Sequence, residues 1–196
     1  MNTHSNRLAT WMAPWLAVIA CVSGCAVSSP QRLVVADPPA CLAADLDCLQ
    51  RSFNQNAERH RVLAFLSPTC PYSRSFLDAL GQVLADMPDE DVKVLVVWSD
   101  ELAGDGPDAA RRAATSLTDS RVEFFHDARR RAALSMVQGV LPTGAARRTL
   151  FCYDPGLLWD EQPPRPSSVA HQMGRLAPGA YCASDQLAVA LIESWR

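Results

Sequence analysis

The sequence predicts an α/β fold: a three-layer sandwich with a mostly parallel central sheet and an antiparallel hairpin at one side. Short apolar runs alternate along the chain with longer segments of helical periodicity, as in successive strand–helix–strand units. Several of these runs are continuously apolar, which is typical of strands buried on both faces. The chain has 196 residues, 48% hydrophobic and 20% charged. That composition suits one globular domain with a substantial core.

The first 24 residues are interpreted as a lipoprotein-type signal peptide. Arg7 precedes an apolar run, 8–20, that is shorter than the ~20 residues a helix needs to span a bilayer. Small residues then lead to Cys25 in a pattern that resembles a bacterial lipobox, which implies cleavage before Cys25 and acylation (palmitate) of its sulfur. An ordinary secretory signal or an uncleaved anchor is the alternative. Ala26 stands where inner-membrane retention signals carry aspartate, so we expect a lipid-anchored protein of the cell envelope that faces the periplasm, with the outer membrane favoured.

The mature chain is expected to contain three parts. A Ser- and Pro-rich tether occupies 25–40, an N-terminal extension 41–59, and the main domain 60–196. Seven cysteines are many for this length, and disulfides persist outside the cytosol. Once Cys21 leaves with the signal and Cys25 carries lipid, the remaining cysteines are odd in number. At least one thiol is therefore free or pairs with another molecule.

Two cysteine pairs are candidates for disulfides. Cys41 and Cys48 are close in sequence, and a bridge between them would close a small loop. Two unpaired thiols on a helix are the alternative. Cys152 and Cys182 are interpreted as structural residues, either as core side chains or as a second bridge.

The elements of the main domain follow from its apolar periodicity. The helix that begins at Pro71 carries apolar residues at spacings of three and four from Phe76 to Leu84, and Met87-Pro88 ends it. In order, we predict a strand at 61–66, a helix from 71 to 87, a strand at 92–98, a helix at 108–117, a strand at 121–125 and a helix at 128–137.

The remainder is predicted to supply the hairpin and a last helix. Residues 149–153 and 157–159 flank the turn residues Asp154-Pro155-Gly156, which favours a hairpin between these two segments. Residues 184–195 have a helical apolar face. Gly104-Asp105-Gly106 is interpreted as a turn, since no phosphate-loop lysine follows it.

The chemistry centres on Cys70, between the first strand of the main domain and the following helix. Unsatisfied backbone N–H groups and the helix dipole at such a position favour a thiolate. Pro71 suits the first helical turn, where its missing N–H costs nothing. Ser73 lies one turn further on, so its hydroxyl is expected to donate a hydrogen bond to the sulfur, and Arg74 adds positive charge nearby. An inert cysteine at a helix start is the alternative.

This strand, the motif Cys70-Pro71-Tyr72-Ser73 and the helix resemble the active-site segment of extracytoplasmic thioredoxin-like proteins, over about 60–196. The resemblance implies a thioredoxin-like fold and thiol–disulfide exchange at Cys70, assisted by Ser73. Most such proteins carry a second cysteine where this chain has Ser73, and the single-cysteine motif is similar to that of monothiol glutaredoxins. Ser73 cannot release a mixed disulfide, so release would have to come from elsewhere, such as Cys152 or Cys182.

The same resemblance implies a contact site for the partner chain. The family carries a cis-proline beside the active cysteine, and Leu141-Pro142-Thr143 resembles that segment. We therefore expect Leu141, Pro142 and Thr143, together with Tyr72, to contact the substrate, with the backbone pairing as an added strand. A trans proline in an ordinary loop is the alternative.

Two functions of different kinds remain open. The first is thiol–disulfide exchange with protein thiols or disulfides, with glutathione as a further candidate partner; the second is a non-catalytic binding module on the same scaffold. No cofactor is expected. No metal is expected either, because His126 and Cys70 would be a single pair without the second loop cysteine of copper chaperones. The net charge of −3 argues against nucleic acid as a partner.

Overall fold

The computed structural model describes residues 39–42, 45–87, 92–139, 147–172, 179, 181–183, 186 and 191, all within the unit Val34–Arg196. The predicted signal peptide, Cys25, nearly all of the tether, the loop with Leu141, Pro142 and Thr143, and most of the last predicted helix lie outside these residues and stay predictions. No helix in the described part of the chain has the length and apolar character needed to cross a bilayer.

Between residues 60 and 139 the chain alternates strands and helices as the sequence predicts, with boundaries that differ by a few residues. The elements are β1 (Ala40–Cys41), α1 (Asp47–Gln55), β2 (His60–Leu66), α2 (Pro71–Ala85), β3 (Val92–Ser99), α3 (Pro107–Ala114), β4 (Val122–Asp127), α4 (Arg131–Gly139), β5 (Thr149–Tyr153) and β6 (Ser168–His171).

These strands form one mixed sheet in the order β1-β4-β3-β2-β5-β6. The four strands from β1 to β2 in that order are mutually parallel, whereas β5 pairs antiparallel with both β2 and β6. The fold is therefore the expected α/β sandwich, with a central parallel region and an antiparallel hairpin at one side. The parallel register aligns Leu66 with Trp98, so β2 and β3 end at the same edge of the sheet.

Two apolar clusters, one on each face of the sheet, form the core. Successive residues of a strand point to opposite faces, so Val62, Ala64 and Leu66 belong to one cluster, and Leu63 and Phe65 to the other. The first cluster packs against α2 and α3. The second packs against α1 and α4. These helices on both faces make the three layers, and they fix the end of β2 from which the Cys70 loop departs.

The predicted partner of β5 is wrong. The second strand of the hairpin is β6, and residues 157–159 lie in the loop that joins the two strands. The backbone of Trp159 is bound instead by α1: its N–H donates to Asn54 Oδ1 at 2.8 Å, and its carbonyl accepts from the side-chain amides of Asn54 and Gln50, each at 2.8 Å. Its ring packs edge-on to Phe53. The turn at 154–156 does form, and Gly156 adopts a φ of 88°, which favours glycine.

Arg61 is a fully buried cation at the beginning of β2. Its guanidinium donates to the backbone carbonyls of Leu157 at 2.6 Å, Asp154 at 2.7 Å, Arg59 at 3.2 Å and Phe53 at 3.4 Å. It also lies over the Phe53 ring, 4.3 Å from the centroid. Burial lowers the pKa of Arg61 below its ordinary value. These contacts join α1, β2 and the long hairpin loop.

The structure does not contain the predicted Cys41–Cys48 bridge. Cys48 has a free thiol and packs, half-buried, against the second core cluster. Cys41 belongs to β1, where its backbone is in register with His126 at the edge of the sheet. The two residues thus belong to separate elements, one seated on the core and the other on β4. The side chain of Cys41 lies outside the described part of the chain.

Candidate active site

Cys70 lies between the end of β2 and the first turn of α2. It is the N-cap residue, in an extended conformation, and Pro71 occupies the first helical position. The Cys70 carbonyl accepts from the N–H groups of Ser73 at 3.1 Å and Arg74 at 3.3 Å. The thiol is free, and the residue is 8% exposed. A sulfur in this position lies near backbone N–H groups that the helix itself cannot satisfy.

Ser73 does not hydrogen-bond to the sulfur, contrary to the sequence-based expectation. Its Oγ accepts from the backbone N–H of Ser67 at 3.2 Å, and the residue is buried. The hydroxyl lies one helical turn along α2, where it faces the end of β2. Ser73 therefore fixes the loop around Cys70 and makes no direct contact of this kind with the thiol.

Asp105 joins the Cys70 loop to the loop that follows β3. Its carboxylate accepts six hydrogen bonds at 2.7–3.1 Å from five donor groups: the N–H groups of Thr69, Glu101 and Leu102, the hydroxyl of Thr69, and the hydroxyl of Ser67, which reaches both oxygens. Burial raises the pKa of this carboxyl, but the hydrogen bonds from Thr69, Leu102, Glu101 and Ser67 outweigh it and hold the pKa below its ordinary value. The carboxylate is thus saturated, and it holds the two loops in one arrangement.

A cavity of about 330 Å³ opens beside Cys70. Its walls come from the end of β2, the start of α2, the loop after β3 and the residues before β5. The lining residues are Leu66, Ser67, Cys70, Pro71, Tyr72, Glu101, Leu102, Arg147 and Arg148. Tyr72 is 56% and Leu102 50% exposed, so two large apolar side chains flank the cysteine at the surface. Cys70 therefore lies in the wall of a cavity that has exposed side chains at its rim.

Glu101 is the least satisfied polar group of this cavity. Its side chain is only 7% exposed, and its Oε2 lies 3.4 Å from Nε of Arg147. Its Oε1 is buried and has no hydrogen-bond partner among the described residues. Burial raises the pKa of Glu101 above its ordinary value, against the opposing charges of Arg147 and Arg130, and the charge of Asp105 adds to the rise.

Arg148 has a strained backbone at the rim of the cavity. Its φ of 45° lies in the left-handed region that residues other than glycine rarely adopt. Its guanidinium lies over the Tyr72 ring, 5.7 Å from the centroid. Such strain persists where the surrounding structure holds it, and it is common at functional sites.

The structure brings together only some of the predicted site residues. Cys70, Tyr72 and Ser73 lie in one segment, but Cys152 is in register with Val62, near the opposite end of β2. Val62 and Leu66 are four residue steps apart along the strand, or about 13 Å. Cys152 is therefore beyond the roughly 7 Å between Cα atoms that a disulfide with Cys70 allows.

Cys182 lies on the far side of the antiparallel hairpin. Its N–H donates to the carbonyl of His171 in β6 at 2.9 Å, so it is about three strand spacings, roughly 14 Å, from β2. Cys152 is part of the first core cluster and Cys182 packs against it, in agreement with a structural role. Their predicted bridge stays a prediction.

His126, near the end of β4, is paired with Asp100. It is buried, and its Nε2 lies 2.9 Å from Asp100 Oδ1. The described residues contain no group of three or more His, Cys, Asp or Glu side chains that could hold a metal ion.

Sequence reasoning missed Glu101, Asp105, Arg147 and Arg148. A usable signal was present for the first two, since loops that follow neighbouring parallel strands meet at one edge of the sheet. The turn at 104–106 follows β3 as the Cys70 loop follows β2. For the two arginines there was no comparable signal, because their position depends on how β5 pairs with β2.

The fold resembles several solved structures, all at low identity. A secreted Mycobacterium tuberculosis disulfide oxidoreductase homologous to E. coli DsbE matches with 14% identity over 71% of this chain and 84% of its own, with a TM-score of 0.42. The dsbF protein of MTB, solved in mixed oxidized and reduced forms, matches with 17% identity over 74% of this chain and 84% of its own, at 0.43. Mycobacterium bovis AhpC matches with 18% identity over 71% of this chain and 74% of its own, at 0.41.

No protein-family model and no curated protein matches the sequence. Because the structural likenesses are weak, the fold assignment rests on the strand order and register described above.

Proposed function

We propose that this protein is a membrane-anchored, extracytoplasmic thiol–disulfide exchange protein that uses the single thiol of Cys70. The observation that supports it most directly is the free Cys70 thiol at the first turn of α2, in the wall of a cavity flanked by the exposed side chains of Tyr72 and Leu102. A reactive cysteine needs an electropositive environment and some access, and the helix start and the cavity supply these.

The reaction is a single exchange. The Cys70 thiolate attacks one sulfur of a partner disulfide, the partner S–S bond breaks, a new S–S bond joins Cys70 to the partner, and the second partner sulfur leaves as a thiolate that takes a proton from water. No electron is gained or lost overall, since one disulfide replaces another.

Release of the mixed disulfide requires an external thiol. Ser73 has no sulfur, and Cys152 and Cys182 are too far from Cys70 to attack without a rearrangement of the sheet. A second molecule, glutathione or a protein thiol, would attack the partner's sulfur, so that Cys70 leaves as a thiolate and the cycle closes.

The anchor is a separate part of the proposal. The lipobox-like residues before Cys25 support lipid attachment there and a location in the bacterial cell envelope, facing the periplasm. Growth with a labelled fatty acid should label the wild-type chain and not a Cys25→Ser variant. Persistent label on that variant would contradict the anchor and leave the exchange chemistry untouched.

Trapping of mixed disulfides tests the chemistry. The purified chain is incubated with a disulfide-bonded protein such as insulin, or with glutathione disulfide, and the adducts are mapped by mass spectrometry without reduction. We expect adducts on Cys70 that disappear in Cys70→Ala and persist in Cys48→Ala, a matched variant at a second free thiol among the described residues. Adducts on Cys48 alone would contradict the proposal.

The alternative is a binding module without turnover. The 8% exposure of Cys70 and the presence of Ser73 in place of a second motif cysteine favour it. Catalysed reduction of insulin with glutathione as the reductant, lost in Cys70→Ala, would support exchange. Stable partner binding that is equal in wild type and Cys70→Ala, with no turnover under any reductant, would support the binding module.

A further inference from the structure

The cavity beside Cys70 has largely apolar walls. Leu66 and Pro71 lie on one side and Leu102 on another, and the ring of Tyr72 is at the mouth. Its volume of about 330 Å³ is at the small end of the roughly 300–1,000 Å³ found for ligand pockets. It is therefore suited to one large side chain of a bound protein and not to an extended segment.

The charges around this cavity oppose one another. The carboxyl of Glu101 faces Arg147 at 3.4 Å, and the guanidinium of Arg148 lies over Tyr72. Asp105 is occupied by its six hydrogen bonds to the two loops. A fully charged side chain would meet both a like and an opposite charge here, so the cavity favours a neutral guest.

Glu101, a residue of the cavity wall, has one acceptor without a partner in the described part of the chain. Oε1 of Glu101 is buried without a hydrogen-bond partner among the described residues, although buried polar atoms are nearly always paired. A ligand that carries an N–H or O–H would remove this deficit. A purely hydrocarbon ligand would leave it in place.

We propose that the cavity is a subsite for a tyrosine or tryptophan side chain of the partner protein, close to the partner's reacting sulfur, whose O–H or N–H donates to Glu101 Oε1. The inference rests on the proposed function, since it assumes that Cys70 meets a partner cysteine. Tyrosine and tryptophan combine a large apolar ring with one donor, which is the combination that this cavity offers to bind. The partner's ring would lie against Leu102 and Tyr72, and the guanidinium of Arg148 would add a cation–π contact to it.

Activated peptides test the subsite. In the series Gly-Ala-Cys-Xaa-Gly and Gly-Xaa-Cys-Ala-Gly, each cysteine is blocked as a mixed disulfide with 5-thio-2-nitrobenzoate, and the release of the chromophore by the full-length protein is followed. Xaa is Tyr, Trp, Phe, Leu, Lys or Gly. In at least one series we expect the Tyr peptide to react about fivefold faster than the Phe peptide, because one net hydrogen bond is worth about this factor. The Trp peptide should react at least as fast as the Tyr peptide.

Variants assign the preference to the carboxyl. In Glu101→Leu the Tyr and Phe peptides should react within about twofold of each other, because a net hydrogen bond of this kind is lost. Glu101→Gln keeps an oxygen acceptor and should retain part of the preference, which guards against misfolding of the leucine variant. Glu123→Gln, on β4 and paired with Lys93, is the matched control and should behave as wild type.

Each other outcome has a definite reading. Equal rates for Tyr and Phe in wild type, an unchanged preference in Glu101→Leu, or Lys as the fastest peptide would overturn the subsite. Failure of even the Gly peptide and of free 5,5′-dithiobis(2-nitrobenzoate) to react with Cys70 would overturn the proposed function instead.

Discussion

A buried charged residue lies near each end of β2, and the two residues differ in how completely they are hydrogen-bonded. At its beginning, Arg61 is fully buried and donates to four backbone carbonyls. Beyond its other end, Glu101 is almost as buried, but it has one ion pair with the exposed Arg147 and one oxygen without a described partner.

The difference separates a structural site from a candidate functional one. Hydrogen bonds from the buried charge of Arg61 hold three segments together, and each of its three side-chain nitrogens has a backbone carbonyl as partner. At Glu101 the protein tolerates an incompletely paired carboxyl next to a free thiol and a cavity. Incomplete pairing costs stability, and its retention beside Cys70 is what a binding site would require.

Replacement of Arg61 should produce the largest effect. In Arg61→Met the apolar stem is kept, but the carbonyls of Phe53, Asp154 and Leu157 lose their buried donor. We expect the free energy of unfolding to fall by about 3–4 kcal/mol in denaturant titrations. Lys93→Met, at the position paired with Arg61 on β3, removes one ion pair to Glu123 and should cost less than about 1 kcal/mol. Equal losses of unfolding free energy in Arg61→Met and Lys93→Met would contradict a special structural role for Arg61.

Replacement of Asp105 should have an intermediate effect and reach the Cys70 loop. Asp105→Asn keeps the size of the side chain but removes an acceptor of several charge-assisted bonds, so we expect a loss of roughly 2 kcal/mol and a changed rate of Cys70 alkylation by iodoacetamide. Asp108→Asn, at an exposed pair with Arg111, should change stability by less than about 0.5 kcal/mol and leave alkylation alone. An unchanged alkylation rate in Asp105→Asn would show that the loop does not depend on this carboxylate.

The same carboxylate predicts a pH dependence. The pKa of Asp105 is lower in the folded chain than its ordinary value of 3.8, so the unfolded state binds the proton more readily. The stability that Asp105 contributes is full above pH 3.8 and is lost as the pH falls through the lower, folded value. The gap in unfolding free energy between wild type and Asp105→Asn should therefore narrow in acid and hold constant from pH 5 to neutrality. If the difference in unfolding free energy between wild type and Asp105→Asn grew in acid, the pKa of Asp105 would not be lowered in the folded chain.

Replacement of Glu101 should have the smallest effect on stability, and it should stabilise the fold, whereas the replacements of Arg61 and Asp105 destabilise it. Its pKa is above the ordinary value of 4.5, so the folded state binds the proton more readily and the ionised carboxyl destabilises the fold at neutral pH. Glu101→Gln should slightly raise the thermal midpoint at neutral pH, and the gain should disappear below pH 4.5. A lower midpoint at neutral pH would show that the pair with Arg147 outweighs burial.

Many of the strands and helices could be predicted from the sequence because they depend on the spacing of apolar residues within short segments. The continuous apolar run that ends at Leu66 predicted a buried strand, and the spacing from Phe76 to Leu84 predicted one buried helix face. The hairpin partner of β5 could not be predicted from local spacing. Two short apolar segments compete for the same edge, and the choice depends on Asn54 and Gln50, which bind Trp159 from a helix about a hundred positions earlier.

By itself, the sequence determined the alternation of strands and helices and the place of Cys70 at a strand-to-helix junction, because both follow from periodicity and from the few residues around a helix start. The tertiary structure decided what surrounds that sulfur. It turned the hydroxyl of Ser73 away toward β2, placed Asp105 and Glu101 in the loop beside it, and left Cys152 at the other end of β2. These are contacts between segments far apart in the chain, set by sheet register and by the pairing of buried polar groups, and neither is written in local sequence pattern.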